Sequence, residues 1–118
     1  MNINFVKRIT LWNKNRGNKK GHIDYMLEHK MLEEEVDEFF EAEKDVDRLD
    51  ALCDVVFVAI GSMYKLGLNY HEIKQAMNIV CNANEKKSSS KNSNGKISKP
   101  KDFIGPEKDL QKILDNLE

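Results

Sequence analysis

The residues from which chemistry can be read are acidic and sit in the middle of the chain, in KMLEEEVDEFF (residues 30–40) and LDALCDVVFVAIGSMYKL (residues 49–66). A helix turns the side-chain direction by about 100° per residue, so Glu34, Glu35 and Glu38 fall within one arc of roughly that width. By the same arithmetic Asp47, Asp50 and Asp54 lie within about 60° on the next helix. Their stripe continues through Gly61, which leaves room beside it, to Lys65. The other positions of that helix are apolar, and a helix apolar nearly all round belongs in a core. A carboxylate buried there is too costly to keep ionised without a cation. Nothing basic lies within a turn of Asp54, since Arg48 and Lys65 are farther along the helix. The partner that fits is a hard divalent cation between two carboxylate-bearing helices. Mg²⁺ takes a few carboxylates and leaves its other positions to water and phosphate oxygens.

The acids do not carry equal weight. Asp45, Asp47 and Asp50 stand in the first turns of their helix, where the helix dipole alone favours negative charge. Glu33, Asp37, Glu41 and Glu43 read as a solvated face. Asp54 inside an apolar run, faced by a second acidic stripe, is what argues for metal.

The elements that must position these groups follow from periodicity and caps. Asn2 caps a first helix with Phe5, Val6, Ile9 and Trp12 at helical spacing, ending before Gly17. Trp12 reads first as a packing residue. A second helix runs from Asp24 to about Ala42, and a short acidic turn returns the chain into a third that stops at Gly67. Short connections make long helices antiparallel neighbours, which brings the two stripes face to face. Asn69 and Glu72 form a capping box for a fourth helix that fades near Asn84. Residues 88–101, SSSKNSNGKISKPK, have the composition of a mobile loop. Gly105–Pro106 then opens a short last helix with Leu110, Ile113, Leu114 and Leu117 on one side.

At 118 residues the chain is read as one all-α domain with a modest core, completed by pairing with a second copy. Its parts are a core (1–84), a substrate-side loop (85–105) and a C-terminal helix (106–118). A net charge of −1 gives no general argument for nucleic acid or membrane. Local charge is polarised: residues 1–23 carry only basic charge, the middle is acidic and residues 86–101 are lysine-rich. Acid flanked by base suits a metal-bound polyphosphate. With no secretory pattern and no membrane-length apolar run, a soluble, cytoplasmic protein is expected. Cys53 and Cys81 lack metal-ligand spacing and read as small hydrophobes in apolar stretches.

Together these residues resemble the all-α nucleoside triphosphate pyrophosphohydrolases, the MazG-like superfamily that includes phosphoribosyl-ATP pyrophosphohydrolase. The superfamily carries Glu-Glu-x-x-Glu on one helix and Glu-x-x-Asp at the start of an apolar stretch on the next. Glu34, Glu35 and Glu38 match the first pattern, and Asp54 before Val55–Val58 matches the Asp of the second. Ala51 stands at the second pattern's Glu, with Asp50 one residue earlier as its substitute. The tail, Asn84 to Lys87 followed by Asn94-Gly95-Lys96, Lys99-Pro100 and Phe103, resembles the phage and bacterial branch of the phosphoribosyl-ATP pyrophosphohydrolase-like proteins.

The resemblance implies Mg²⁺-dependent hydrolysis, with Mn²⁺ able to substitute, of a nucleoside triphosphate between its α- and β-phosphates. A deoxynucleotide is the expected substrate. Glu35, Glu38 and Asp54 are the leading metal ligands and Asp50 the next. Glu34 either binds metal or orients and deprotonates the water. Lys87, Lys96 and Lys99 are assigned to the β- and γ-phosphates, Asn84 to phosphate, sugar or base, and Asn13 and Trp12 to the neighbourhood of the base. A homodimer or tetramer is implied. A carboxylate di-iron bundle is disfavoured because no Glu stands three residues before His22, His29 or His71. The alternative that Ala51 keeps open is a helical nucleotide-binding or regulatory module without turnover.

Overall fold

The computed structural model describes residues 4–87 and 91–117. Asn2, and Ser88 to Ser90 at the start of the lysine-rich loop, lie outside the described residues. Five helices form: α1 (Phe5–Asn15), α2 (Tyr25–Glu41), α3 (Asp45–Leu66), α4 (Tyr70–Glu85) and α5 (Glu107–Asp115). No strand is present among the described residues, and the chain is all-α as the periodicity predicts.

Local chemistry sets the helix ends. Asn4 caps α1, its side-chain oxygen accepting from the Lys7 N–H at 2.8 Å. Asp24 caps α2 by accepting from the Met26 and Leu27 N–H groups. At Gly67, φ is 131°, a conformation costly for any residue with a Cβ, and α3 stops there. Asn69 and Glu72 exchange hydrogen bonds of 2.8 and 2.9 Å in the expected capping box before α4. Leu117, expected on the apolar side of the last helix, lies beyond the end of α5.

The chain divides into two compact units, Met1–Ile73 and Lys74–Glu118. In the first, the three-residue connection of Ala42 to Lys44 folds α3 back on α2. Glu28 meets Ser62 and Lys65, while Glu35, seven residues later, meets Asp54, so the two helices run antiparallel. α1 packs on α3 through the Trp12 and Phe57 rings and the approach of Asn13 to Gly61. Val6, Ile9, Ala51, Ile60, Leu68 and Ile73 are buried, Ile73 completely. Burial of one valine, leucine or isoleucine side chain contributes about 1.5–3 kcal/mol.

The all-round burial expected of α3 is not found. The apolar α3 is covered on one side only: Leu49, Leu52 and Val56 remain 63%, 46% and 47% exposed. Val36 and Phe40 of α2 are exposed too. Cys53 and Cys81 are free thiols at exposed positions. Among the described residues of this unit only α1 and α2 pack on α3, and they leave this face of the α2–α3 pair uncovered.

In the second unit the lysine-rich segment is more ordered than its composition suggests. Lys91 and Ile97 form an antiparallel bridge closing a tight turn. Asn92 organises that turn, its side-chain oxygen accepting from the N–H groups of Asn94 (2.9 Å) and Lys96 (3.1 Å). Gly95 supplies the positive φ of 79° that the turn requires.

Candidate active site

The antiparallel pairing of α2 and α3 gathers three of the candidate acids. One carboxylate oxygen from each of Glu35, Glu38 and Asp54 lies within 4.8 Å of the other two. Such crowding opposes ionisation, and the Glu35 carboxyl is held above its ordinary range. Burial is the largest cause, followed by the Glu38 charge and its hydrogen bond, then the Asp54 and Asp50 charges. Glu35 Oε2 is buried and has no hydrogen-bond partner. A buried acceptor left unpaired among three hard oxygen donors is a destabilising arrangement that a divalent cation would relieve, so this donor set fits Mg²⁺ or Mn²⁺.

The other acids are placed differently. Asp50 is exposed, acts on Glu35 through its field, and lines an acidic cleft with Glu38, Glu41 and Asp47. Glu34 is exposed and stands outside the group of three. Ala51, where the resemblance expects a carboxylate, is 2% exposed. Its methyl group serves the helix packing instead.

A cavity of about 260 Å³ opens one turn from Asp54 along α3, bounded by Trp12, Asn13, Glu28, Phe57, Gly61 and Lys65. Asn13 is 2% exposed. It donates to the Ile9 carbonyl at 2.9 Å and accepts from Asn18 Nδ2 at 2.9 Å. Gly61 is what admits it, since a Cβ there would stand 3.1 Å from Asn13 Nδ2. The room that the glycine leaves is therefore taken by α1. Trp12, 40% exposed, meets the Phe57 ring edge-on at a centroid distance of 5.1 Å. The Arg16 guanidinium covers the Trp12 ring at 4.3 Å.

Glu28 and Lys65 form a buried ion pair in the wall of this cavity that the sequence reading missed. Lys65 Nζ donates to both Glu28 oxygens at 3.1 Å, and the Ser62 hydroxyl donates to Oε1 at 2.8 Å. Part of the signal was present, because Glu28 lies seven residues before Glu35 and shares its helix face, while the Asp54 stripe already reached Lys65.

The second unit gathers the remaining candidates. Asn84, Lys87, Lys96 and Lys99 line one cavity of about 950 Å³ together with Asn92 and Gly95. No acid is among its described lining residues. Three lysines and no described acid give this cavity a positively charged lining.

The chain is an all-α protein of the MazG-like pyrophosphohydrolase superfamily. More narrowly, the sequence pattern of the phosphoribosyl-ATP pyrophosphohydrolase family matches residues 10–84, well over half of the chain, and the chain belongs to that family. Among curated proteins none matches it. Membership indicates pyrophosphohydrolase activity on a nucleotide substrate. No single helix among the described residues is long and apolar enough to cross a membrane.

Proposed function

We propose that the protein hydrolyses a nucleoside triphosphate between its α- and β-phosphates, giving the monophosphate and pyrophosphate. The observation that carries this reading is the convergence of Glu35, Glu38 and Asp54 with one buried, unpartnered carboxylate oxygen. Preference for a deoxynucleotide rests on the resemblance of the tail to the phage-type branch.

Bound Mg²⁺ would lower the pKa of a coordinated water and neutralise phosphate oxygens. Glu35, Glu38 and Asp54 would hold the cation, with Asp50 adding negative charge at the edge of the cluster. Glu34, exposed beside Glu35 on α2, orients the attacking water and takes its proton. Lys87, Lys96 and Lys99 pair with the β- and γ-phosphates and stabilise the departing pyrophosphate, with Asn84 beside them. Trp12 and Asn13 border the base. A homodimer covers the exposed Leu49, Leu52 and Val56 face, which is too apolar to suit water on a free surface. A cytoplasmic location and the lack of nucleic-acid or membrane partners belong to the same proposal, which the net charge of −1 supports.

The test is to resolve the products by ³¹P NMR after incubation with Mg²⁺ and a panel of ribo- and deoxynucleoside triphosphates, phosphoribosyl-ATP included. Monophosphate and pyrophosphate are expected. Diphosphate with inorganic phosphate would refute the cleavage position. Binding without turnover of any member would favour the silent module to which Ala51 points.

A further inference from the structure

We propose that Glu28 and Lys65 are specificity-determining residues that read the hydrogen-bonding edge of a nucleobase held in the Trp12–Asn13 cavity. The inference rests on the nucleotide reading above and extends it to two residues outside the acidic motif.

Position is the first argument. Glu28 precedes Glu35 by seven residues on α2, a rise of about 10 Å. Ser62 and Lys65 follow Asp54 by eight and eleven residues on α3, rises of about 12 and 16 Å. The pair therefore lies down the α2–α3 groove from the carboxylates by about the length of a nucleoside. A reacting α-phosphate at the carboxylates puts its base at this level, beside the Trp12 and Phe57 rings. Flat apolar walls with a few polar groups are what a base pocket requires.

Hydrogen-bond inventory is the second. Glu28 Oε1 accepts from Ser62 and Lys65, while Oε2 accepts from Lys65 alone and keeps a lone pair. Lys65 directs its ammonium to both carboxylate oxygens and has a third proton. An acceptor and a donor thus remain side by side. Every nucleobase presents a donor next to an acceptor on its pairing edge, whereas a phosphate presents acceptors only and would meet the Glu28 charge. The paired charges sum to zero, which suits a neutral base.

Energetics is the third. Glu28 is 4% exposed. A buried ion pair is weak evidence for stability, since well-packed apolar residues join two helices at least as well. Its placement in the wall of a largely apolar cavity, beside Asn13 and Asn18, gives it a ligand to read.

Trp12 is the chain's one tryptophan and lines this cavity, so its fluorescence reports the site directly. Deoxynucleosides without phosphate, titrated without metal, separate the base site from the carboxylates and the lysines. Saturable changes in Trp12 emission are expected, with at least a fivefold spread in Kd among the four bases. In the unaltered protein, methylation of the base's pairing edge, as in 3-methyldeoxyuridine, weakens binding at least tenfold. Glu28→Gln reorders or collapses the spread. The Glu28→Gln/Lys65→Gln double variant does the same without leaving a buried ammonium unpaired. The proposal is overturned if no nucleoside perturbs Trp12, if edge methylation leaves Kd unchanged, or if a folded variant weakens all nucleosides by one common factor. Edge-sensitive nucleoside binding without triphosphate turnover would refute the hydrolase reading and leave this inference standing. Turnover with edge-insensitive binding would do the reverse.

Discussion

Glu35 of α2 and Asp54 of α3 bring carboxylate oxygens within 4.8 Å of each other, and Glu35 Oε2 lies buried beside them with no hydrogen-bond donor. Without a cation the relationship is repulsive. Its cost in the metal-free protein is the physical signature of the site, and the first two predictions follow from it.

Asp54→Asn keeps the shape of the side chain and removes one charge of the three. Mn²⁺ binding, followed by the EPR signal of the free ion, should weaken by at least about 100-fold, because even partners one shell outside a metal cost 10–100-fold when lost. Thermal stability without metal should stay level or rise. Unchanged Mn²⁺ affinity in a folded variant would place the cation elsewhere.

The raised Glu35 pKa fixes the sign of the pH dependence. Between the ordinary carboxylate value and the raised one, folded Glu35 holds a proton that the unfolded chain has released. Its contribution to stability is fully present below the unfolded pKa and is lost as pH rises through the folded pKa. The metal-free melting temperature should therefore fall across that window, and the shift produced by Mg²⁺ should grow with pH. Glu35→Gln should stabilise the metal-free protein at neutral pH and flatten the slope. Differential scanning fluorimetry with Mg²⁺ and with chelator reads both, and a melting temperature that rises through the window would refute the assignment.

How much of this was legible in the sequence depended on locality. The Asn69–Glu72 capping box and the Gly67 stop are written within a few residues of where they act, so those helix ends could be read directly. The convergence of Glu35, Glu38 and Asp54 needed two helical stripes and one short connection, all local as well. The Glu28–Lys65 pair spans 37 residues of sequence, and only the packed register of α2 on α3 shows that the two meet. The Asn92 turn was hidden for another reason: four hydrogen bonds centred on one side chain and its backbone outweigh a low-complexity composition. The exposed face of α3 was misread because apolarity says that a surface wants cover, not that one chain supplies it.

Gly61 and Asn13 offer a test of the α1–α3 contact. Asn13 is tied to the Ile9 carbonyl and to Asn18, so it cannot yield to a Cβ at 3.1 Å. Gly61→Val should destabilise by about 1–3 kcal/mol through overpacking and abolish the Trp12 response to nucleosides. Chemical denaturation measures the first effect. A neutral result would mean that α1 is free to move.

Charge removal in the lysine cavity should act on substrate affinity. Lys96→Ala is expected to raise KM about fivefold, equivalent to ~1 kcal/mol for a partly exposed ion pair, with a smaller effect on kcat and a weaker dependence on salt. Asn92→Ala, which unties the turn carrying Lys96, should move KM in the same direction. Steady-state kinetics at two ionic strengths decides this, and unchanged KM in both variants would remove the lysines from the substrate site.

Covering the exposed α3 face is tested by Leu52→Glu. Sedimentation velocity should show the native protein as a dimer or larger, and the variant shifted toward monomer. A native protein that sediments as a monomer at micromolar concentration would leave that face without a self-partner.

Pyrophosphate release from a nucleoside triphosphate panel, followed with Mg²⁺ and with chelator beside the Asp54→Asn variant, tests the central claim most directly. Release that needs the metal and falls by at least about 100-fold in the variant is the predicted result. Release that persists in chelator, or in a folded Asp54→Asn protein at the native rate, would contradict a reaction built on Glu35, Glu38 and Asp54.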